Sequence, residues 1–174
     1  LSTKELEEHY WNIFLNNHPE IDKTKEYRWG DSELTLFWQE HREDMAFGKV
    51  KDGVSEAFEE MMKKNYIVDL LSARPLNKYA SLNKKLSEYF EENNLIYSHM
   101  HLGFYSKTNF LVDHKYDVLI DNELRHIESA NEKGIDTILY GPYNENYEGL
   151  QTDDWSKIPL LIEQIIKQKK QKVL

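Results

Sequence analysis

The 174-residue sequence contains no cysteine. This absence excludes a disulfide framework, a thiolate metal site and a cysteine nucleophile, and it fits a reducing compartment. No apolar run approaches the roughly 20 residues that span a bilayer. Residues 1–20 also lack the basic-then-apolar order of a signal peptide. We therefore predict a cytoplasmic protein without a membrane segment.

Positive charge is also scarce, because 22 lysines and arginines face 31 aspartates and glutamates, giving a formal net charge of −9. This charge repels a polyphosphate backbone, so we expect no extended nucleic-acid surface. Glycine-rich phosphate loops of the common types are absent, which argues against a kinase or a dinucleotide enzyme. A Gly-x-Ser-x-Gly elbow is missing as well, which argues against a serine hydrolase.

Apolar residues make up 40% of the chain, enough for one domain with a core and a small appended subdomain. Helical spacing of apolar residues dominates the first third of the chain, and strands alternate with helices after residue 65. The pattern predicts helices over 2–18, 33–45, 54–64, 77–92, 106–114, 122–134 and 158–169. It predicts strands over 66–71, 95–102, 117–120 and 136–141, and a loop over 142–155. Ser32 is predicted to cap the second helix and Gly134 to end the helix over 122–134.

Short apolar strands that alternate with helices predict a parallel sheet covered on both faces. Ligands of such sheets bind beyond the carboxyl ends of the strands. Three groups with polar residues lie just beyond predicted strands. They are Ser72, Ala73 and Arg74; Lys107; and Asp121 and Asn122.

These residue types together suit a phosphoryl group. A hydroxyl and backbone N–H groups can hold its oxygens, a lysine can neutralise its charge, and a carboxylate can hold a hard cation such as Mg²⁺. Taken singly, each has a plainer interpretation. Ser72 and the pair Asp121 and Asn122 suit helix caps, and Lys107 suits the surface.

In their joint order these segments resemble a known family. The stretches IVDLLSARP, SKTNF, DVLIDN and ILYGPYN, the last followed by Trp155, resemble motifs of the haloacid dehalogenase (HAD) superfamily. The similarity is greatest to its 5′(3′)-deoxyribonucleotidase-like and uncharacterised nucleotidase branch. The stretch FWQEHREDM also resembles the helical cap of that branch. The resemblance implies a three-layer Rossmann-like α/β core with a parallel sheet over residues 49–174 and a small helical cap over residues 1–48.

The resemblance also implies roles for single residues. Ser72, Ala73 and Arg74 would bind the substrate phosphate, with Ser72 and Lys107 acting in catalysis. Asp121 would be a Mg²⁺ ligand, and Asn122 would act through a water. The superfamily usually has two aspartates where this chain has Asp121 and Asn122, so the cation site is expected to be weaker.

A larger departure concerns the nucleophile. The superfamily carries it in an Asp-x-Asp motif after its first strand, and that motif is absent here. We expect roughly ten residues before Leu1, a strand of about 5 to 6 residues plus the motif, lying between the strands over 66–71 and 117–120. The 174 residues alone are then expected to be inactive.

Two functions follow from this comparison. The first is Mg²⁺-dependent hydrolysis of a small phosphomonoester, most naturally a nucleoside monophosphate, through an aspartyl-phosphate whose nucleophile precedes Leu1. The second is a catalytically inactive binding or regulatory protein that keeps the same scaffold. The sequence sets neither the substrate nor the oligomeric state.

Two further features carry weaker signals. His99 and His101 alternate on one strand and face the same side, which suits two metal ligands, but zinc normally takes three and the sequence offers no third. We therefore favour ordinary strand histidines. The aromatic residues Tyr27, Trp29, Phe37 and Trp38 are predicted to form subdomain core rather than a base-stacking platform.

Overall fold

The helices and strands follow one another in the predicted order. The computed structural model of the protein describes residues 3–26, 31–74, 76–103 and 106–172. The helices are α1 (Thr3–Asn17), α2 (Glu33–His41), α3 (Val54–Lys63), α4 (Leu82–Glu92), α5 (Lys107–Asp113), α6 (Leu124–Glu132) and α7 (Ile158–Lys172). Short 3₁₀ turns cover Asp44–Ala46, Leu76–Lys78 and Trp155–Lys157. The strands are β1 (Asp69–Ser72), β2 (His99–Leu102), β3 (Val118–Asp121), β4 (Asp136–Tyr140) and β5 (Leu150–Thr152).

All strand pairs are parallel, which confirms the predicted α/β class. The strands form two sheets, one in the order β1-β2 and one in the order β3-β4-β5. Among the described residues no strand pairs with the second edge of β1 or of β3. Within the part of the chain that the structure describes, only β4 has a hydrogen-bonded neighbour on each side.

The unit β3-α6-β4 shows how local sequence sets the fold around the site. Ile127 and Ala130 on α6 are fully buried in an apolar cluster with residues of both strands. Gly134 follows the helix with φ of 79° and donates to the Asn131 carbonyl at 2.9 Å, and Ile135 donates to Ala130 at 3.1 Å. This left-handed residue confirms the predicted helix end, because glycine adopts positive φ without steric cost.

Helices α1 and α2 pack around an apolar cluster of their own. Phe14 and Phe37 are fully buried there, with ring centroids 5.6 Å apart. The predicted core role of Phe37 is confirmed, while Tyr27 and Trp29 lie outside the described residues. The division into a cap over 1–48 and a core over 49–174 stays a prediction.

Several predicted boundaries were wrong by a few residues. β1 begins at Asp69 and β2 at His99, because Val68 donates to the Ser98 hydroxyl at 3.1 Å instead of a strand carbonyl. β5 lies in a segment predicted to be loop. Ser32 does not cap α2, since its own φ and ψ of −60° and −35° are helical and its hydroxyl donates to Glu33. In the described part of the chain, no helix combines the length and apolarity needed to cross a membrane.

Candidate functional site

Lys107 and Asp121 meet at the carboxyl end of β3. Asp121 is the last residue of β3, and Lys107 is the first residue of α5, after the N-cap Ser106, whose hydroxyl accepts from the Asn109 N–H. Lys107 Nζ donates to Asp121 Oδ2 at 2.7 Å, although the residues are 14 positions apart. The side chains are only 16% and 5% exposed. Two residues that the sequence singled out separately therefore form one buried ion pair.

Asp121 has two further partners in and before α6. Its Oδ1 accepts from the Glu123 N–H at 2.9 Å, and its Oδ2 lies 3.2 Å from His126 Nδ1. The sequence analysis did not single out His126. Its position in the first turn of α6 was a usable signal, because helical side chains point back toward the helix N-terminus.

These partners determine the charge of Asp121. Burial acts to raise the pKa of its carboxyl group, but the Lys107 ammonium, the Glu123 N–H and His126 outweigh burial and hold the pKa below its usual value. Asp121 is therefore an ionised, acceptor-only group at neutral pH.

Asp121 fits one position of a Mg²⁺ site. Mg²⁺ is usually held by one or two carboxylates, and its other ligands are waters and substrate phosphate oxygens. Asn122 is exposed, and its side chain makes no hydrogen bond to any residue that the structure describes. An exposed carboxamide can reach the ion through water, as the sequence predicted, but it supplies no second buried ligand.

Ser72, Ala73 and Arg74 form a second group at the carboxyl end of β1. Ser72 Oγ accepts from the Arg74 N–H at 3.3 Å, and Ala73 is exposed. Arg74 is half-buried, and burial lowers the pKa of its guanidinium. It forms no ion pair with any described residue, so its charge is available to an anion. No hydrogen bond joins this group to Lys107 or Asp121 within the described ranges.

A separate polar cluster lies at the amino-terminal ends of β1 and β2. Asp69 Oδ1 is 2.9 Å from His99 Nδ1, and its Oδ2 is 3.4 Å from His101 Nε2. The Tyr116 hydroxyl donates to Asp69 Oδ2. Burial acts to raise the pKa of Asp69, but these three partners lower it below its usual value. Burial, together with the bond to Asp69, raises the pKa of Tyr116 to about 12.

The comparisons with known proteins bear on the fold. No family model matches the sequence, and no curated protein matches it either. A solved structure from Thermotoga maritima, described as a beta-phosphoglucomutase, has a TM-score of 0.51 to this chain. The likeness covers 93% of this chain and 89% of that one. This chain therefore shares the mixed α/β fold of that structure, with parallel strands and helices in alternation.

At 12% sequence identity this likeness shows the fold alone. The shared fold agrees with the α/β architecture that the motif resemblance implied, and the likeness gives no support to the nucleotidase branch in particular. The roles of single residues rest on the geometry of the strand ends.

Proposed function

We propose that this protein is a Mg²⁺-dependent phosphomonoester hydrolase of the haloacid dehalogenase type. The observation that carries the proposal is the buried pair of Lys107 and Asp121 at the carboxyl end of β3. Ligands of parallel α/β sheets bind at this edge. A cation and a carboxylate, both shielded from water, are the groups that phosphoryl transfer needs there.

Each residue of the group has a stated role in this proposal. Lys107 neutralises charge that develops on the phosphoryl oxygens, and Arg74, which forms no ion pair with a described residue, attracts the dianionic substrate. The Ser72 hydroxyl, whose oxygen already accepts from the Arg74 N–H, donates to a phosphate oxygen. The N–H of Ala73, an exposed residue, is proposed as a further donor.

Asp121 would hold Mg²⁺ through its carboxylate, and Asn122 would act through a water. When bound, the ion neutralises phosphate charge and helps to orient the substrate. Lys107 and His126 hold Asp121 in place for this role. The proposed site needs a carboxylate that is ionised before the cation binds. Asp121 meets this need because its pKa is lowered.

The nucleophile stays a prediction: an aspartate of an Asp-x-Asp motif, which these 174 residues lack, on a strand that pairs with β1 and β3. Both of these strands have an edge without a strand partner among the described residues, and such a strand would pair there.

The substrate is proposed to be a nucleoside monophosphate selected by a cap over residues 1–48. Burial and the nearby charge of Glu123 raise the pKa of Glu7 on α1. A cap helix that covers the strand ends would exclude water from the site.

A second candidate is a binding protein that has lost the chemistry. The missing Asp-x-Asp motif and the exposed Asn122 favour it. In that case the Arg74 and Lys107 charges would still bind a phosphorylated ligand, but no phosphate would be released.

Phosphate release by the natural full-length protein separates the two candidates. We expect Mg²⁺-dependent hydrolysis of nucleoside monophosphates that chelator abolishes. Asp121→Ala and Lys107→Met are expected to lower kcat by about 100-fold or more. Lys157→Met, at a lysine that is 62% exposed, is the matched control and should keep the wild-type rate. Background release by wild type and variants alike, with nucleotide binding retained, would favour the binding protein.

A further inference from the structure

Two imidazoles and one carboxylate converge at the amino-terminal ends of β1 and β2. Asp69 lies directly opposite His99 in the β1-β2 register, and His101 is two residues further along β2. Strand side chains alternate, so both histidines lie on the same face of the sheet. One ligand atom from each of the three residues lies within 4.8 Å of the other two. We name Asp69, His99 and His101 the β1-β2 cluster.

The spacing in this cluster matches that of ligands around one ion. Two atoms bound tetrahedrally at zinc distances of about 2.1 Å are about 3.4 Å from each other. His101 Nε2 and Asp69 Oδ2 are 3.4 Å apart. His99 Nδ1 and Asp69 Oδ1 are 2.9 Å apart, and the His99 side chain, 65% exposed, is free to rotate by the small amount required.

We propose that the β1-β2 cluster binds one Zn²⁺ ion, with three protein ligands and a fourth position for water. Neutral imidazole nitrogens suit zinc and its neighbours in the transition series, whereas Mg²⁺ takes oxygen ligands almost exclusively. The cluster therefore selects a different class of metal from the proposed Mg²⁺ ligand Asp121.

The surroundings of the cluster hold its ligands in orientation. Tyr116 donates to Asp69 Oδ2 and lies 3.4 Å from His101 Nε2. The Phe110 ring packs against His101 with centroids 4.8 Å apart. Outer contacts of this kind fix the direction of metal ligands. The Asp69 side chain is 7% exposed, so it would bind the ion from the protein interior. The exposed His99 would lie on the side from which the ion enters.

The zinc site is separate from the phosphate site proposed above. Asp69 begins β1 and Ser72 ends it, and their side chains leave opposite faces of the strand because they are three residues apart. A zinc ion would link β1 to β2 through their side chains. Among the described residues, the sheet contains only these two strands. The function of the zinc ion does not depend on phosphatase activity.

Zinc binding to the full chain tests the proposal directly. After removal of metals with a chelator and dialysis, ZnCl₂ is titrated by calorimetry, and Co²⁺ serves as a probe whose visible absorption reports tetrahedral geometry. We expect one equivalent with a Kd below about 10 μM. His99→Gln and Asp69→Asn should weaken binding by at least about 100-fold, and Tyr116→Phe by about 10-fold. His126→Gln removes the histidine beside Asp121 and should leave zinc affinity unchanged.

Two outcomes would overturn the zinc site. One is wild-type protein that binds no zinc in this range, and the other is equal affinity in wild type and His99→Gln. Because the His99 side chain is mostly exposed, folding of His99→Gln should be little affected, and its thermal midpoint in chelator should be close to that of wild type. Added zinc should raise the midpoint of wild type but not of His99→Gln. These readouts stay interpretable even if the protein releases no phosphate.

Discussion

Asp121 and Asp69 both lie at strand ends and both have lowered pKa values, yet their partners differ. Asp121 is paired with the ammonium of Lys107, which has no lone pair to offer a metal. Asp69 is surrounded by His99 and His101, and an imidazole ring in its neutral form carries one lone pair that can bind a metal. The first environment offers the carboxylate oxygens of Asp121, which suit a hard cation, and the Lys107 ammonium there supplies positive charge for a phosphate. The second supplies two nitrogens and suits zinc. The partners, rather than the aspartate, decide which chemistry is available.

One short helix contacts both environments. α5 begins with Lys107, and one turn later Phe110 packs against His101 and Tyr116. The two clusters are therefore chemically distinct but share a packing element. Substitutions can either disturb both clusters or separate them.

Phe110→Ala should disturb both clusters and have the largest effect. The side chain is 8% exposed, so we expect a loss of about 3 to 5 kcal/mol in the free energy of unfolding, measured by urea denaturation. Zinc affinity and phosphatase rate should fall together. Val112→Ala on the same helix removes a side chain that is 43% exposed and should cost less than about 0.5 kcal/mol. A loss below about 1 kcal/mol in Phe110→Ala would contradict the shared role of α5.

Lys107→Met should disturb only the Asp121 side of the comparison. The substitution leaves a buried carboxylate with His126 and one N–H as partners, and we expect a loss of about 3 kcal/mol in urea denaturation. Adding Asp121→Asn should restore about 1 to 2 kcal/mol, because the charge that lost its partner is then removed. Lys157→Met, in an exposed pair with Asp154, should cost less than about 1 kcal/mol. A double variant less stable than Lys107→Met would rule out this explanation.

Tyr116→Phe should disturb only the Asp69 side and have the smallest effect of the three. It removes one hydrogen bond to an ionised carboxylate, so we expect a loss of about 1.5 to 2 kcal/mol by the same denaturation assay, without added metal. The phosphatase rate should not change. Tyr143→Phe, at a residue that is 80% exposed, is the control and should be neutral. Equal stability of Tyr116→Phe and wild type would show that the hydroxyl contributes nothing to holding Asp69.

The sequence predicted that Lys107 and Asp121 lie at one edge of the sheet, because polar residues after parallel strands collect there. The direct hydrogen bond between them was found in the structure. The sequence did not predict the contact of Asp121 with His126, which depends on the direction in which α6 leaves β3. Ser72 and Arg74 were placed correctly at the end of β1, since this required only the end of an apolar run.

Asp69 could not be recognised as the third partner of His99 and His101 from the chain alone. Its position opposite His99 depends on the register between β1 and β2, and the predicted starts of both strands were early by three or four residues. β5 was missed because its three residues contain one apolar side chain, Leu150, which gives no periodicity to read. Such features arise from pairing between distant segments.

The division of the strands into two sheets has a consequence for the backbone itself. Of the five strands, β4 alone is hydrogen-bonded on both sides among the described residues, and Ile138 at its centre is fully buried. Its amides open only when the larger sheet comes apart, whereas β1 and β2 depend on one ladder between two short strands. Amide hydrogens should therefore exchange with solvent most slowly in β4 and much faster in β1 and β2.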